Sequence, residues 1–126
     1  MMVKGERLKR AILLALADTE LQKIMDAAVY QSKSVSQIIQ ESNVPHSTAY
    51  RKIRWLVEEK LLIVDKIEIT EDGKKSTLFR TTLKSFNIKY EHNNLLMEAE
   101  QNFHTTRKIT ENFFTLPDSG SPHVSI

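Results

Sequence analysis

Four polar residues at helical spacing are the part of this sequence best suited to bind a macromolecular partner. They are Ser47, Tyr50, Arg51 and Arg54, within the segment HSTAYRKIRWLVEEK. At 100° per residue, Ser47, Arg51 and Arg54 fall on one side of a helix. The start of a helix presents free backbone N–H groups to a phosphate, and an arginine can form two hydrogen bonds with a guanine edge. The pattern favours contact with a DNA major groove, although a solvated helix face is the ordinary alternative.

A helix–turn–helix surrounds these residues. Ser34 and Gln37 have the spacing of a capping box, in which each residue caps the other at the start of a helix. Val44-Pro45 then interrupts the helical pattern, because the residue before a proline avoids the helical conformation and the proline suits a first turn. The second helix has an apolar stripe that predicts its buried side. This stripe consists of Ala49, Ile53, Leu56 and Val57.

Two β-rich segments follow the second helix directly. A turn that contains Asp72-Gly73 separates the segments LLIV and KIEIT from the segment STLFRTT. Two such segments around a turn predict a β-hairpin. Lys74 and Lys75 lie at its tip, where they suit contact with DNA phosphates or the minor groove. The alternative is that they are ordinary solvated loop lysines. A helix–turn–helix followed at once by a hairpin with a basic tip is a winged-helix arrangement.

At these residues the sequence resembles the ArsR-type winged-helix transcriptional regulators, especially their small archaeal branch. The matching segments are 35–39, 44–51, 56–62 and 70–74. The resemblance covers roughly residues 4 to 100. It implies an α+β fold: a winged helix-turn-helix with a three-helix core and a β-hairpin wing, here with an extra N-terminal helix and a second C-terminal β-hairpin. Lys60 departs from the pattern, because relatives usually have glycine there, and a left-handed helix end is costlier for lysine.

The resemblance also implies double-stranded DNA as the partner. The residues that we expect to contact DNA are His46, Ser47, Thr48, Tyr50, Arg51, Arg54, Lys74 and Lys75. The main alternative is a winged-helix protein–protein interaction module without sequence-specific DNA binding. Such a module would use Trp55 and the second hairpin, and Trp55 itself either contacts a partner or packs under the N-terminal helix. The sequence names no small-molecule effector.

Composition excludes several other classes of protein. The 126 residues suit one domain with one modest core, and 40% hydrophobic and 27% charged residues are typical of a soluble globular protein. The absence of cysteine excludes disulfides, zinc fingers and the thiolate metal sites of many ArsR-type proteins. No membrane-length apolar run or secretory pattern is present, so we expect a cytoplasmic protein. No catalytic motif appears, and we expect no enzyme activity, cofactor or metal.

The charge distribution predicts two copies of the chain on DNA. Residues 1–10 carry a net charge of +3, residues 45–60 carry +2 and residues 61–84 carry +1, while 11–44 and 85–126 each carry −2. The total of +2 is small, and DNA affinity grows with the number of phosphates neutralised. A monomer should therefore bind weakly, whereas a homodimer would double the contacts.

Two helices precede the helix–turn–helix. Residues 3–17 predict an N-terminal helix whose apolar stripe is widened by Leu13 and Leu14, so that it needs a second covering surface. ArsR-type proteins commonly dimerise through such a helix, and the alternative is a helix that covers only its own core. We assign residues 1–84 to the DNA-binding domain with this dimerisation helix. Asp18 is expected to cap the next helix, over residues 19–31.

A second hairpin is predicted between Phe86 and Glu100. Asn93-Asn94 suits a two-residue turn, which would place Tyr90 opposite Met97 and Ile88 opposite Ala99. An isolated hairpin buries little, so its apolar side must lie on the domain or on a partner subunit, and we favour the partner. Residues 85–116, which include a short helix over 101–115, form this accessory dimer region. Residues 117–126 are rich in proline and serine and are expected to be disordered.

Overall fold

A computed structural model describes residues 1–102, which form an α+β fold of four helices and two small antiparallel hairpins. The elements are α1 (Glu6–Leu16), α2 (Thr19–Ala27), α3 (Val35–Ser42), α4 (His46–Glu58), β1 (Leu62–Ile69), β2 (Lys75–Thr81), β3 (Leu83–Glu91) and β4 (Asn94–Gln101). This arrangement is compatible with a winged helix. No helix in this part of the chain is long and apolar enough to cross a membrane. The predicted short helix over 101–115 and the predicted disordered tail lie outside the described residues.

The N-terminal helix is shorter than predicted because the first residues pair with a strand. The backbone N–H of Val3 donates to the carbonyl of Met97 at 2.9 Å, and Met2 forms a β-bridge with Glu98. Residues 1–3 thus add a short third strand beside β4, and α1 begins only after Gly5. Long-range backbone pairing has replaced the first predicted turn of the helix.

α2 begins as predicted but ends four residues early, at Ala27 instead of residue 31. Asp18 caps its start, since the carboxylate accepts a hydrogen bond from the Leu21 N–H at 2.9 Å. At the other end, the carbonyl of Ala28 accepts a hydrogen bond from Thr81 at 3.1 Å, and that of Val29 accepts one from the Asn102 side chain at 2.8 Å. The residues just after α2 are therefore held by distant parts of the chain and do not continue the helix.

The helix–turn–helix agrees closely with its prediction. The capping box at α3 is confirmed: the Ser34 hydroxyl accepts from the Gln37 N–H at 3.2 Å, and the Gln37 side chain accepts from the Ser34 N–H at 2.8 Å. α3 ends at Asn43 in the left-handed conformation, with φ of 57°. Pro45 is the N-cap of α4 and lies just before the first turn in which it was expected.

The core lies between the helices and the inner sides of both hairpins. The predicted stripe of α4 is buried, as Ala49, Ile53, Leu56 and Val57 are all at most 6% exposed. Other fully buried side chains come from every layer: Ile12, Ile24, Ile38, Leu61, Leu62, Phe79 and Met97. Trp55 is half-buried against this core, and its packing under the N-terminal helix stays a prediction.

We call residues 62–81 the wing, which comprises β1, β2 and the turn between them. The chain enters it through Lys60, which has a φ of 65°, a left-handed conformation that is costlier for lysine than for glycine. Gly73 occupies the turn with a φ of 80°. Lys33, in the connection between α2 and α3, forms a β-bridge with Phe79 and so adds a third short strand at the base of the wing.

The second hairpin has a different turn from the predicted one. His92 and Asn93 occupy it, with φ of 50° and 63°, so the expected pairs of Tyr90 with Met97 and Ile88 with Ala99 are wrong. The observed pairs are Tyr90 with Leu95, Ile88 with Met97 and Phe86 with Ala99. Moving the turn by one residue shifts every partner by two, which leaves each side chain on its predicted side of the hairpin. Met97 and Ala99 pack into the chain's own core, so their burial needs no partner subunit.

Candidate nucleic-acid interface

The polar side of α4 is exposed to solvent over the length of the helix. His46, Ser47, Tyr50, Arg51 and Arg54 are all exposed, and Thr48 is half-buried. The buried stripe on the opposite side fixes how the helix is rotated against the core, and so determines which residues face outward. The structure thus brings six of the eight expected contact residues together on one helix.

Arg51 and Arg54 have no competing interaction in the described part of the chain. Within residues 1–102, neither side chain makes an ion pair or a hydrogen bond. They are three positions apart, which corresponds to about 4.5 Å along a helix axis, close to the spacing of about 3.4 Å between stacked bases. Two free guanidinium groups at this spacing can reach neighbouring bases from one helix.

Lys52, between the two arginines, has a different role. Its ammonium group donates a hydrogen bond to the Asp18 carboxylate and lies 3.1 Å from a Glu20 carboxylate oxygen. The hydrogen bond to Asp18 raises the pKa of Lys52, and the same bond lowers the pKa of Asp18. Lys52 thereby links α4 to the start of α2. The positive charge available on the outer side of α4 comes from Arg51 and Arg54.

The first turn of α4 has no side-chain cap. Pro45 is its N-cap residue, and its side chain has no oxygen that could accept a hydrogen bond from the first turn. The first backbone N–H groups of α4 are therefore left for another acceptor. Next to them, the rings of His46 and Tyr50 lie 4.9 Å apart between centroids, with planes tilted by 54°. A phosphate suits this position, because free N–H groups and the positive end of the helix dipole point at it.

The tip of the wing carries both lysines in exposed positions, but also two acids. Lys74 Nζ lies 3.9 Å from Asp72 Oδ2, and Glu71 is exposed beside it. Thr70 fixes the turn by donating to the Asp72 carboxylate, and this hydrogen bond lowers the pKa of Asp72. Lys75 makes no ion pair within the described residues. The tip is therefore close to neutral overall, with Lys75 the cation most available to an external phosphate.

Two features near the interface escaped sequence reasoning. Arg7 of α1 forms two hydrogen bonds, each of 3.0 Å, with the carboxylate of Glu59 directly after α4. This pair joins residues 52 positions apart, so no local spacing could reveal it. On the wing, Ile67 and Ile69 are 56% and 72% exposed. The alternation in KIEIT did signal that they share a side, but an apolar strand side is ordinarily expected to be covered.

Comparison of the chain with protein-family models gives no match, and comparison with curated proteins gives none either.

Proposed function

We propose that this protein is a homodimeric transcription regulator that binds double-stranded DNA in a sequence-specific manner, with an ArsR-like winged helix. The observation that carries the proposal is the pair of exposed arginines on α4, which have no partner in the described chain. They lie on the same helix as an N-terminal turn without a side-chain cap. Their opposite side is packed into the core, so the helix presents them rigidly.

In this proposal α4 lies in the major groove. A phosphate meets the first turn near Ser47, while Arg51 and Arg54 bind base edges, preferentially guanine. Lys75, supported by Lys74, contacts the backbone or minor groove beside it. The arginines and the lysines are assigned different roles because phosphate contacts position a protein on DNA, whereas base contacts select the sequence.

A dimer supplies the affinity that one copy lacks. The net charge of +2 is low for DNA binding, and two copies double the neutralised phosphates. Two copies of α4 would read half-sites about 34 Å apart, one turn of DNA. Leu13 and Leu14 on α1 are 38% and 47% exposed, which supports α1 as one dimer contact.

A protein-binding role is the second candidate, and one observation favours it. Ile67 and Ile69 give the wing an exposed apolar side, which suits a protein partner better than a phosphate backbone. Trp55, the other expected anchor, is half-buried against the core. If this role is correct, binding to duplex DNA will be absent or nearly independent of salt.

The test begins with selection of bound sequences from a pool of random duplexes, followed by titration at fixed salt. Arg51→Ala should weaken binding to the selected sequence by about 1–3 kcal/mol and relax the base preference at one position. Lys4→Ala is the matched control, because it removes one exposed positive charge outside both α4 and the wing. Unchanged affinity and base preference in Arg51→Ala would remove Arg51 from the interface.

A further inference from the structure

One edge of the second hairpin is left open in the described structure. Residues 1–3 cover the outer edge of β4, since Ala99 N–H donates to the carbonyl of Met1 at 2.8 Å and Val3 N–H to that of Met97 at 2.9 Å. β3 pairs with β4 on one side and with no strand of residues 1–102 on the other. It is nine residues long and contains no proline. An open edge of this length is a template for another strand.

The turn determines which backbone groups of β3 face this open edge. A two-residue turn at His92 and Asn93 closes on Glu91 and Asn94 as a hydrogen-bonded pair, and such pairs alternate along an antiparallel ladder. Lys89 therefore directs its N–H and carbonyl toward β4. The residues that direct theirs outward are Phe86, Ile88 and Tyr90. Their side chains share the apolar side of the hairpin, next to the open edge.

We propose that β3 pairs antiparallel with β3 of a second copy, with the two-fold axis at Ile88. The two sheets then become one continuous sheet across the dimer. Ile88 lies opposite the partner subunit's Ile88, and Phe86 lies opposite the partner subunit's Tyr90. This inference rests on the proposed homodimer and adds a contact surface to the one proposed on α1.

The side chains favour this axis over its neighbours. An axis at Lys89 would place two lysines opposite each other, and like charges in that position destabilise a sheet. An axis at Asn87 would place Tyr90 opposite Lys84. With the axis at Ile88, Asn87 meets the partner's Lys89 and Ser85 meets the partner's Glu91, so no like charges oppose. Apolar and aromatic pairs on the inner side add stability.

The lysines that would normally protect such an edge are already paired within the sheet. Lys89 Nζ lies 3.7 Å from Glu91 Oε1, and Lys84 Nζ lies 4.0 Å from Glu100 Oε2. Charged side chains without an ion-pair partner discourage edge-to-edge pairing of strands, because a second strand brings like charges together. Here each lysine has a carboxylate beside it, so a second strand meets a nearly neutral edge.

A cleft beside β3 lies where the proposed contact would place the exposed Tyr90 of the partner subunit. The Tyr90 side chain is 69% exposed although it lies on the apolar side of the hairpin. A cleft of about 210 Å³ opens next to Phe86, and its walls combine half-buried Leu16, Met25 and Val29 with the polar side chains of Gln22, Asp26 and Lys84. A strand added to this edge lies about 4.8 Å away, which brings the partner's Tyr90 beside Phe86 and over the cleft. One contact would thus cover both the exposed ring and the open apolar walls.

The first experiment uses the absence of cysteine from the chain. Asn87→Cys and Lys89→Cys change exposed residues on the outer side of β3. In the proposed register these positions form a non-hydrogen-bonded pair across the axis, with Cα atoms about 4.5 Å apart, within reach of a disulfide. Mixing the two variants under mild oxidation should give a disulfide-linked dimer of one variant with the other. Ser36→Cys, exposed on α3, is the control and should link to neither.

The outcomes separate the possible registers. A disulfide dimer of Asn87→Cys alone would move the axis to residue 87, and one of Lys89→Cys alone would move it to residue 89, so either overturns the proposed axis. No disulfide in the mixture would overturn the edge contact itself.

A second experiment tests the contribution of Tyr90 to the proposed dimer contact. Tyr90→Ser should raise the dimer dissociation constant at least about tenfold in sedimentation equilibrium, because two aromatic contacts are lost per dimer. Leu96→Ser changes a 48% exposed residue on the other side of the same hairpin and should leave the constant unchanged. Equal effects of both variants would contradict the Tyr90 contact. DNA binding is read separately on a single half-site, where the effect of Arg51→Ala persists even if the edge contact fails.

Discussion

The two hairpins of this protein have similar lengths but differ in what covers their apolar side chains. In the second hairpin, Met97 and Ala99 are 0% and 3% exposed, because they pack into the domain core. In the wing, Ile67 and Ile69 are 56% and 72% exposed, because β1 extends beyond the core. Both hairpins contribute buried residues to the core, but the outer part of the wing also presents two exposed isoleucines.

The turns of the two hairpins differ as well. The wing turns at Gly73, the residue that tolerates its φ of 80° without strain, and Thr70 reinforces the turn by hydrogen bonds to Asp72 and to the Lys74 carbonyl. The second hairpin turns at His92 and Asn93, both non-glycine residues at positive φ. Both hairpins thus have a buried base, but the wing has a relaxed tip beyond exposed Ile67 and Ile69, whereas the second hairpin has a strained tip.

The largest effect should come from the buried side of the second hairpin. Met97→Ala should lower the free energy of unfolding by about 2–5 kcal/mol, since it opens a cavity in the core. Ile69→Ala on the wing should change the same free energy by no more than about 0.5 kcal/mol. Urea denaturation of both variants measures the difference. If Ile69→Ala proved as costly as Met97→Ala, the wing would be packed against something in solution.

The turns should respond to substitution with opposite signs. Gly73→Ala should lower the free energy of unfolding by about 1–2 kcal/mol, because alanine resists a positive φ. The cost arises from the backbone alone, since no atom lies within 4 Å of the added methyl group. Asn93→Gly should raise stability, by at most about 1 kcal/mol, because it relaxes the second turn. Thermal melts of the two variants provide the measurement, and equal signs would contradict the contrast.

Lysines on the wing and outside both hairpins should differ in their effect on DNA binding. Lys75→Ala should weaken binding to all duplexes alike and reduce the slope of log K against log salt by about 1, as expected when one phosphate contact is lost. Lys4→Ala removes the same charge from an exposed position outside both hairpins and α4 and should leave that slope unchanged. Titrations at several salt concentrations decide the matter. Equal slopes for the two variants would remove the wing from the proposed interface.

The smallest effect should be a pH dependence confined to the wing turn. The hydrogen bond from Thr70 lowers the pKa of Asp72, so the ionised carboxylate stabilises the turn. This contribution is present above the ordinary carboxylate pKa and is lost as the pH falls through the lowered value. NMR shifts of the Gly73 and Lys74 amides should follow this titration, while the Asn93 amide should not. A Thr70→Val variant, which lacks the donor, should titrate nearer the ordinary carboxylate pKa.

Local signals made much of the fold predictable. The Ser34 and Asp18 caps and the stripe of α4 each depend on residues within a few positions of one another, and all three were confirmed. The outward side of α4 was predictable for the same reason, because the helical period alone decides which residues lie opposite the stripe.

The features that were not predicted depend on contacts between residues far apart in the sequence. The turn of the second hairpin was misplaced by one residue, since His92-Asn93 and Asn93-Asn94 both tolerate positive φ and only packing of the strands distinguishes them. The link from Lys52 to Asp18 spans 34 positions and has no local signature. The early end of α2 is similar, because the carbonyl of Ala28 is used by Thr81.

The β-bridge between Lys33 and Phe79 has a mechanical consequence. Lys33 N–H donates to the Phe79 carbonyl at 2.9 Å, and Phe79 N–H donates back at 2.7 Å. Ser34, the next residue, caps α3, so only one peptide unit separates the base of the wing from the start of the helix–turn–helix. A displacement of the wing is therefore passed directly to the start of α3, and we expect the wing and α3 to move together.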